Sequence, residues 1–284
     1  MHCAWKEFLN ILPPGLRQRV DEQGREDLQE LRLRIGLAPE LVLPGELRFL
    51  KDTVTEEDLS YCINAASRYS PWAASTMAKG FLTAPGGHRI GICGTALCRE
   101  GAVTGFSDVR SLCIRVARDF PGIADRISNI SGSILILGAP GWGKTTLLRD
   151  LCRRISRRKT VCVVDERGEV FPAGIDRGAR LDVLTGCPKT AGVEMLLRTM
   201  SPDYIAVDEI TAEEDCQALH HCAHCGVQLM ATAHAASLED LFRRRAYRSL
   251  REHSLFQTVL VLSQDKTYTV ERMTPCTSNG SVRY

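Results

Sequence analysis

Long apolar runs are absent from this 284-residue sequence. No run approaches the ~20 consecutive apolar residues that a membrane-spanning helix needs. The first residues, MHCAWKEFLNILPPGLRQRV, include an early acidic residue and a Pro13–Pro14 break, so they lack the basic-then-apolar order of a secretory signal. Together these absences predict a cytoplasmic protein that reaches a membrane only through a partner.

Net charge is also nearly absent, because 36 Lys and Arg residues oppose 34 Asp and Glu residues, for a net charge of +2. This balance argues against a dedicated binder of nucleic acid or of membrane surfaces. Aromatic residues make up only 6%, and no aromatic-rich basic groove is evident on which single-stranded DNA would stack. We interpret two basic runs, RRISRRK (153–159) and RRRAYRSLR (243–251), as solvated helix faces, with contact to a charged partner as the alternative.

Repeats and low-complexity tracts are missing, and the chain divides instead into two halves with different patterns. From about Ser133 onward, short continuous apolar runs alternate with helical patterns, as the strands of a parallel sheet buried on both faces require. We predict a smaller α+β domain over residues 1–122 and an α/β domain over residues 123–284. The predicted strands of the second domain are SILILG (133–138), TVCVVDE (160–166), YIAVDE (204–209) and VQLMATAH (227–234).

Helix starts and turns have local signals as well. Two glycine-rich segments, PGG (85–87) and EGAVTG (100–105), predict turns between β-like pieces of the first domain. Capping-box spacing predicts three helix N-termini. The residue pairs with this spacing are Thr55 and Asp58, Thr211 and Glu214, and Ser237 and Asp240.

The stretch GAPGWGKTT fits the spacing G-x-x-x-x-G-K-[ST] of a phosphate-binding loop, or P-loop. It follows an apolar strand and precedes a helical pattern, which places bound phosphate at a helix N-terminus. In such a loop Lys144 contacts the terminal phosphates and Thr145 holds Mg²⁺. A chance match in a glycine-rich turn is the alternative. The predicted nucleotide-binding residues are Gly138, Ala139, Pro140, Gly141, Trp142, Gly143, Lys144, Thr145 and Thr146.

Two carboxylates end the predicted strand YIAVDE. Beside a P-loop, Asp208 can hold Mg²⁺ through water and Glu209 can polarise the attacking water. The alternative is that both are exposed carboxylates at a strand end. The sequence therefore adds Glu209 and Lys144 to the candidate catalytic residues, and Asp208 joins Thr145 as a candidate metal ligand.

Two further strand ends carry candidate catalytic residues. VVDERGE places Asp165, Glu166 and Arg167 after one strand, a weaker signal because charged residues commonly follow strands. ATAHAAS ends another strand at His234, which in a parallel sheet lies near enough to sense the γ-phosphate. We include Glu166 and His234 in the candidate catalytic set, with a purely structural role as the alternative for each.

The segment HHCAHCG, from His220 to Gly226, resembles a zinc site because it combines Cys-x-x-Cys with three histidines. Its pattern predicts a helix that Gly226 ends. One helix cannot wrap four tetrahedral ligands around a metal, and no second Cys/His cluster would complete the set. We therefore predict that the segment is structural, with metal binding as the alternative.

These motifs together resemble the secretion ATPases of type II and type IV systems. LLRTMSPDYIAVDEI resembles the segment leading to their Walker B glutamate, ATAHAAS resembles their His box, and VVDERGE stands where their Asp box stands. A closer resemblance, over nearly the whole chain, is to the stage III sporulation protein AA family. Its pattern is carried by GGHRIGICGTA, SLCIRVAR, GAPGWGKTTLLRDL, VDERGE, DVLTGCPKTAGVEMLLRTMSPDYIAVDEI and ATAHAASLEDL.

The resemblance implies a RecA-like P-loop ATPase that uses ATP and Mg²⁺ and forms a homo-oligomeric ring, with a hexamer expected. It implies a peripheral place at the membrane of the mother cell, through membrane proteins of the channel joining mother cell and forespore. Arg89 and Arg115 match arginines of the family's N-terminal domain that reach nucleotide. Secretion ATPases often have an arginine two residues after the Walker B glutamate, and this sequence has Thr211 at that position, so the role of that arginine is not carried over. The alternative function is a nucleotide-gated DNA-handling or scaffold protein on the same core.

Overall fold

The computed structural model describes residues 3–24, 27–67, 77–128, 130, 132–172 and 175–273. Residues 274–284, at the end of the second predicted domain, lie outside this description, as do residues 129 and 131 near the predicted boundary. The described helices are α1 (Trp5–Ile11), α2 (Pro14–Gly24), α3 (Glu56–Ser67), α4 (Lys144–Ser156), α5 (Lys189–Thr199), α6 (Glu213–His224), α7 (Leu238–Arg243) and α8 (Arg248–Glu252).

The described strands lie in two sheets. They are β1 (Glu30–Arg34), β2 (Glu40–Leu43), β3 (Glu46–Phe49), β4 (Phe81–Thr83), β5 (Arg89–Arg99), β6 (Ala102–Arg115), β7 (Ile134–Leu137), β8 (Val161–Asp165), β9 (Leu181–Thr185), β10 (Tyr204–Val207), β11 (Gln228–Ala233), β12 (Thr258–Leu262) and β13 (Tyr268–Arg272).

The chain forms two compact units. The first unit comprises Met1–Asp119 with Pro172–Ile175, and the second comprises Phe120–Phe171 with Asp176–Tyr284. The assignment of domains to residues 1–122 and 123–284 stays a prediction. Within the described part of the chain, no helix has both the length and the apolar character needed to cross a bilayer.

The second unit is built on a sheet with the strand order β13-β12-β7-β11-β10-β8-β9. All neighbouring strands in it are parallel except β12 and β13, which pair antiparallel. Every residue of β7 and β8 is buried, which explains why their sequences are continuously apolar. The predicted α/β class with a mostly parallel sheet is therefore confirmed.

Helices cover both faces of this sheet. Successive residues of a strand point to opposite faces. One buried cluster joins alternate strand residues such as Leu135 and Ile205 to Leu196 of α5 and Leu219 of α6. Helix α4 contacts β7, β8 and β11, but its buried leucines, such as Leu148, are not part of that cluster. Helix α4 therefore packs on the opposite face from α5 and α6.

The first unit contains an antiparallel sheet with the order β3-β2-β1-β6-β5-β4. Burial alternates along β1 and β2, as expected for a sheet with one face on the core. Helices α1, α2 and α3 contribute Phe8, Val20 and Leu59 to that core. This arrangement confirms the predicted α+β class.

The predicted turn over residues 100–105 is wrong in its extent. Arg99 pairs with Ala102, so only Glu100 and Gly101 connect β5 to β6. Both have positive φ angles, +52° and +80°. This is the backbone of a two-residue type I′ hairpin turn, in which glycine supplies a left-handed conformation. The segment from Ala102 onward is free to continue as strand.

Two of the three predicted helix caps are found as expected. Thr55 and Asp58 exchange bonds at the start of α3, and the N–H of Asp240 donates to Ser237 Oγ at the start of α7. The Thr211–Glu214 pair is wrong, because the Asp215 carboxylate accepts the N–H groups of the preceding loop instead.

His88 makes the stability of the first unit depend on pH. Its ring is fully buried, with Nδ1 accepting the N–H of Ala117 (3.1 Å) and Nε2 donating to the carbonyl of Ala4 (2.9 Å). Burial lowers the pKa of His88 below its ordinary value. As pH falls below about 6.5, the unfolded chain therefore takes up a proton that the folded chain resists.

We expect stability to be fully present above pH 6.5 and to fall as pH drops toward the lowered pKa, by ~1.4 kcal/mol for each unit that the pKa is lowered. Thermal unfolding from pH 8 to pH 5 measures this loss, with His88→Gln as the comparison. The variant should start less stable and lose less on acidification. Equal losses of Tm would contradict the role of His88.

Candidate nucleotide-binding site

The P-loop lies between β7 and α4, as its sequence context predicts. Gly141 and Gly143 have φ angles of +76° and +97°, which side chains disfavour. Gly143 is the N-cap of α4, and within the described residues no side chain caps this helix end. The backbone N–H groups of the first turn are thus available for an anion, and the helix dipole favours negative charge there.

The Lys144 ammonium lies at the centre of this region. Nζ donates to the carbonyl of Ala139 and to Nδ1 of His234, both at 3.0 Å. Burial lowers the pKa of Lys144, while the carboxylates of Asp208 and Glu209 act in the opposite direction. The lysine therefore lies between the P-loop and the residues that follow β10 and β11, the strands that end next to Asp208 and His234.

Thr145 and Asp208, the two predicted metal ligands, are in direct contact. Thr145 Oγ1 donates to Asp208 Oδ2 at 2.8 Å, and Thr232 Oγ1 donates to the other carboxylate oxygen at 2.6 Å. Burial raises the pKa of Asp208, Asp165 and Glu209 raise it further, and the two hydroxyl groups lower it. A hydroxyl and a carboxylate oxygen side by side are hard donors of the kind that Mg²⁺ prefers. The residues present therefore fit this ion.

Glu209 is held by both its backbone and its side chain. Its φ of +54° is unusual for a residue with a side chain, and its N–H donates to Thr232 Oγ1 at 2.7 Å. One carboxylate oxygen lies 3.1 Å from His234 Nε2, and the other lies 3.1 Å from Arg167. Such backbone strain persists only where the surrounding contacts impose it.

The tautomer of His234 follows from its two partners. An ammonium group can only donate, so Lys144 requires Nδ1 to accept. Nε2 then carries the proton and donates it to Glu209 Oε1. The bonds form a continuous chain from Lys144 through His234 to Glu209, and they connect the P-loop to the ends of β10 and β11, which are neighbouring parallel strands.

In the VVDERGE segment, Asp165 orders the loop after β8, and Glu166 extends from that loop into the candidate site. The Asp165 carboxylate is buried and accepts the N–H groups of Glu169, Val170 and Phe171, which orders the loop after β8. Glu166 extends from this loop and pairs with Lys189 at 3.3 Å. Both acids line one small cleft with Arg167, Glu169, Lys189, Asp208 and Glu209. The structure thus brings Glu166 to the same cleft as Glu209.

Arg89 and Arg115 belong to the first unit and lie directly opposite each other on β5 and β6. The Arg89 guanidinium stacks 4.1 Å from the centroid of the Phe81 ring. Arg115 pairs with Glu30 at 3.2 Å, and its side chain is 67% exposed. The two arginines are therefore direct cross-strand neighbours, with Arg115 exposed and Arg89 partly buried.

The segment from His220 to Gly226 forms the end of α6 and its C-terminal turn, with Gly226 at a φ of +82°. His220 and His224 bond through their Nε2 atoms at 2.9 Å, and the ring of His253 packs at a tilt against His220. Cys222 is instead buried in the same core cluster as Leu219. In the described ranges, no set of three His, Cys, Asp or Glu residues is arranged to hold a metal.

Three contributors to the site are not among the residues predicted from the sequence. Thr232 bonds both to Asp208 and to the backbone of Glu209, and a hydroxyl inside an apolar strand is the signal that could have indicated it. Lys266, from the β12–β13 turn, donates to the carbonyl of Gly141. Lys189 is the first residue of α5, directly after Pro188, and its local sequence does not indicate a role in the site.

Two solved structures share the fold. The pilus retraction motor PilT, determined with ADP bound, aligns with a TM-score of 0.65 at 15% identity, covering 93% of this chain and 83% of that chain. The Legionella pneumophila ATPase DotB aligns with a TM-score of 0.59 at 18% identity, covering 91% of this chain and 80% of that chain. At these identities the similarity shows the fold alone, which is RecA-like.

Sequence comparison establishes the family. The family model described as sporulation stage III, protein AA, matches residues 4–273. The stage III sporulation protein AA of Bacillus subtilis (strain 168) is 36% identical over 280 residues, which cover 92% of this chain and 91% of that protein. Since both matches extend over nearly the whole chain, it belongs to the stage III sporulation protein AA family.

Proposed function

We propose that the chain is an ATP-hydrolysing motor of the secretion-ATPase type, which powers the assembly or operation of the channel between mother cell and forespore during endospore formation. The observation that carries the proposal is the set of hydrogen bonds at one edge of the parallel sheet. It links Lys144 and Thr145 of the P-loop to Asp208, Glu209 and His234. These residues come from the ends of three adjacent strands, so the arrangement depends on the fold as a whole.

In this mechanism Lys144 and the N–H groups of the P-loop hold the phosphates of ATP. Thr145 and Asp208 would hold Mg²⁺, which when bound neutralises charge on the phosphate oxygens. Glu209 orients the attacking water and accepts its proton, and the Nε2–H of His234 fixes the direction of that carboxylate. We propose that the motor is a homo-oligomeric ring, with six subunits expected.

A biochemical experiment tests the enzymatic part of the proposal. The purified chain should release phosphate from ATP in the presence of Mg²⁺, and EDTA should abolish the release. Addition of single-stranded DNA should leave the rate unchanged. Failure to hydrolyse ATP over a range of protein concentrations would contradict the motor, and strong stimulation by DNA would favour a DNA-handling protein instead.

A fractionation experiment tests the place of action. We expect the chain to be soluble when expressed alone and to move to the membrane fraction when it is expressed with the membrane proteins of the channel. The Glu209→Gln variant should be recruited equally but should leave the channel inactive. Binding to protein-free phosphatidylglycerol vesicles, or a working channel with that variant, would overturn the proposal.

A further inference from the structure

Lys189 is the first residue of α5 and lies between two carboxylates from different parts of the second unit. Its Nζ is 3.3 Å from Glu166 Oε2 and 3.5 Å from Asp215 Oδ2. Only 14% of its side chain is exposed. A lysine side chain loses considerable rotamer freedom and hydration when it is held in this way, so both contacts must contribute to keeping it there.

Each of the two carboxylates is fixed to a loop of the candidate site. Asp215 accepts the N–H groups of Thr211 and Ala212, at 2.9 and 3.2 Å, and so holds the loop that follows Glu209. Glu166 follows Asp165, whose carboxylate orders its own loop through three backbone bonds. One ammonium group thus connects the loop after β8 to the loop after β10.

The position of Lys189 depends on a close approach of α5 to the sheet. Gly192, one turn further along the helix, lies so near β8 that an added Cβ would be 2.6 Å from Val164 Cγ1 and 2.8 Å from Cys187 Sγ. Glycine at this position therefore allows the first turn of α5 to lie directly over the end of β8. That placement brings Lys189 within reach of Glu166.

Charge in the cleft gives the lysine a further effect. Five carboxylates line it, and the cations that line it with them are Arg167 and Lys189. Carboxylates at short range repel one another, and they also repel the phosphates of a bound nucleotide. A cation among them reduces both repulsions. Arg167 pairs with Glu209 and Lys189 pairs with Glu166, so each of the two glutamates has its own cation.

We propose that Lys189 is a positioning residue for hydrolysis, which holds Glu166 at a fixed place relative to Glu209 and the attacking water. This inference rests on the proposed ATPase function. It predicts that loss of the ammonium group lowers kcat and leaves nucleotide binding nearly intact, because the ion-pair partners of Lys189 are Glu166 and Asp215, which belong neither to the P-loop nor to the predicted metal ligands.

The test compares Lys189→Met, which keeps most of the apolar stem, with Lys189→Arg, which keeps the charge. We expect kcat to fall by ~10–100-fold in Lys189→Met, with the Kd for ATP unchanged within a few-fold, and Lys189→Arg to recover most of the loss. Lys159→Met is the matched control, because Lys159 also pairs with an aspartate, Asp203, away from the cleft. Its kcat should equal that of the wild type.

A double-mutant cycle with Glu166→Gln separates positioning from a general loss of structure. If Lys189 acts through Glu166, the double variant should be no slower than the slower single variant. Glu166→Gln alone should lower kcat to a similar extent, which keeps the inference testable if Lys189→Met fails to fold.

Wild-type kcat in Lys189→Met or in Glu166→Gln would overturn the inference while leaving the ATPase function in place. The inference would also be overturned if the fold-losses of kcat in the two single variants multiplied in the double variant. Loss of both kcat and ATP affinity in Lys189→Met would overturn it as well. A wild-type protein without ATPase activity would overturn the proposed function and this inference with it.

Discussion

Glu209→Gln is expected to slow ATP hydrolysis by ~10²–10⁴ while ATP binds with nearly wild-type affinity. The substitution keeps the shape of the side chain but removes the base that accepts a proton from water. The geometry gives this residue no role in holding phosphate, since its carboxylate contacts His234 and Arg167. Lys144→Ala should behave in the opposite way, because an ammonium group in the P-loop acts chiefly in nucleotide binding.

The measurement is phosphate release in single-turnover and steady-state assays, with the Kd of a fluorescent ATP analogue determined for each variant. Glu239→Gln serves as the matched control, because Glu239 is 79% exposed and pairs with Arg243 one helical turn away. That variant should be indistinguishable from the wild type. Turnover of ATP at the wild-type rate by Glu209→Gln would show that another group activates the water.

The part of the site that could be predicted from sequence is the part encoded locally. The P-loop has a fixed spacing, and Asp208 and His234 each end an apolar strand. The carboxyl ends of parallel strands meet at one edge of a sheet. Once β7, β10 and β11 are recognised as strands, that rule is enough to place Lys144, Asp208 and His234 together, as the structure does.

The contacts that could not be predicted come from residues far apart in sequence. Lys189 meets Glu166 and Asp215 only because Gly192 allows α5 to approach β8. Lys266 reaches the P-loop from a turn more than a hundred residues later in the chain. No local spacing encodes either approach, since helix packing against a sheet depends on the side chains of several elements at once.

The fold was predicted best where strands are buried on both faces. Strand β8 is buried throughout and was recognised, whereas β9 is the edge strand of the same sheet and none of its residues is fully buried. An edge strand has a mixed polar and apolar sequence, which hydrophobicity alone does not distinguish from a loop. The same reason applies to β13, which forms the other edge and is largely exposed.

Arg115→Ala is the second substitution with a large expected effect, a loss of ~10³–10⁵ in kcat if its guanidinium stabilises charge in the transition state. The sheet itself gives a reason to expect function here. Arg89 and Arg115 are direct cross-strand neighbours, and like charges placed opposite each other destabilise a sheet. Arg115 pairs with Glu30, and the Arg89 guanidinium lies over the Phe81 ring. Because Arg115 is 67% exposed and an exposed ion pair contributes little to stability, its removal should change Tm only slightly, even as activity is lost.

The dependence of hydrolysis on protein concentration shows whether Arg89 and Arg115 act on nucleotide bound by the same copy of the chain or by another copy. If these arginines act on nucleotide held by another copy of the chain, hydrolysis by the wild type should rise more steeply than linearly with protein concentration. Mixing inactive Arg115→Ala with inactive Lys144→Ala should then restore some activity, because each supplies what the other lacks. Arg110→Ala is the control on the same strand, since Arg110 is 62% exposed and pairs only loosely with Asp108. A monomer with full activity at every concentration, or an active Arg115→Ala variant, would remove the pair from the mechanism.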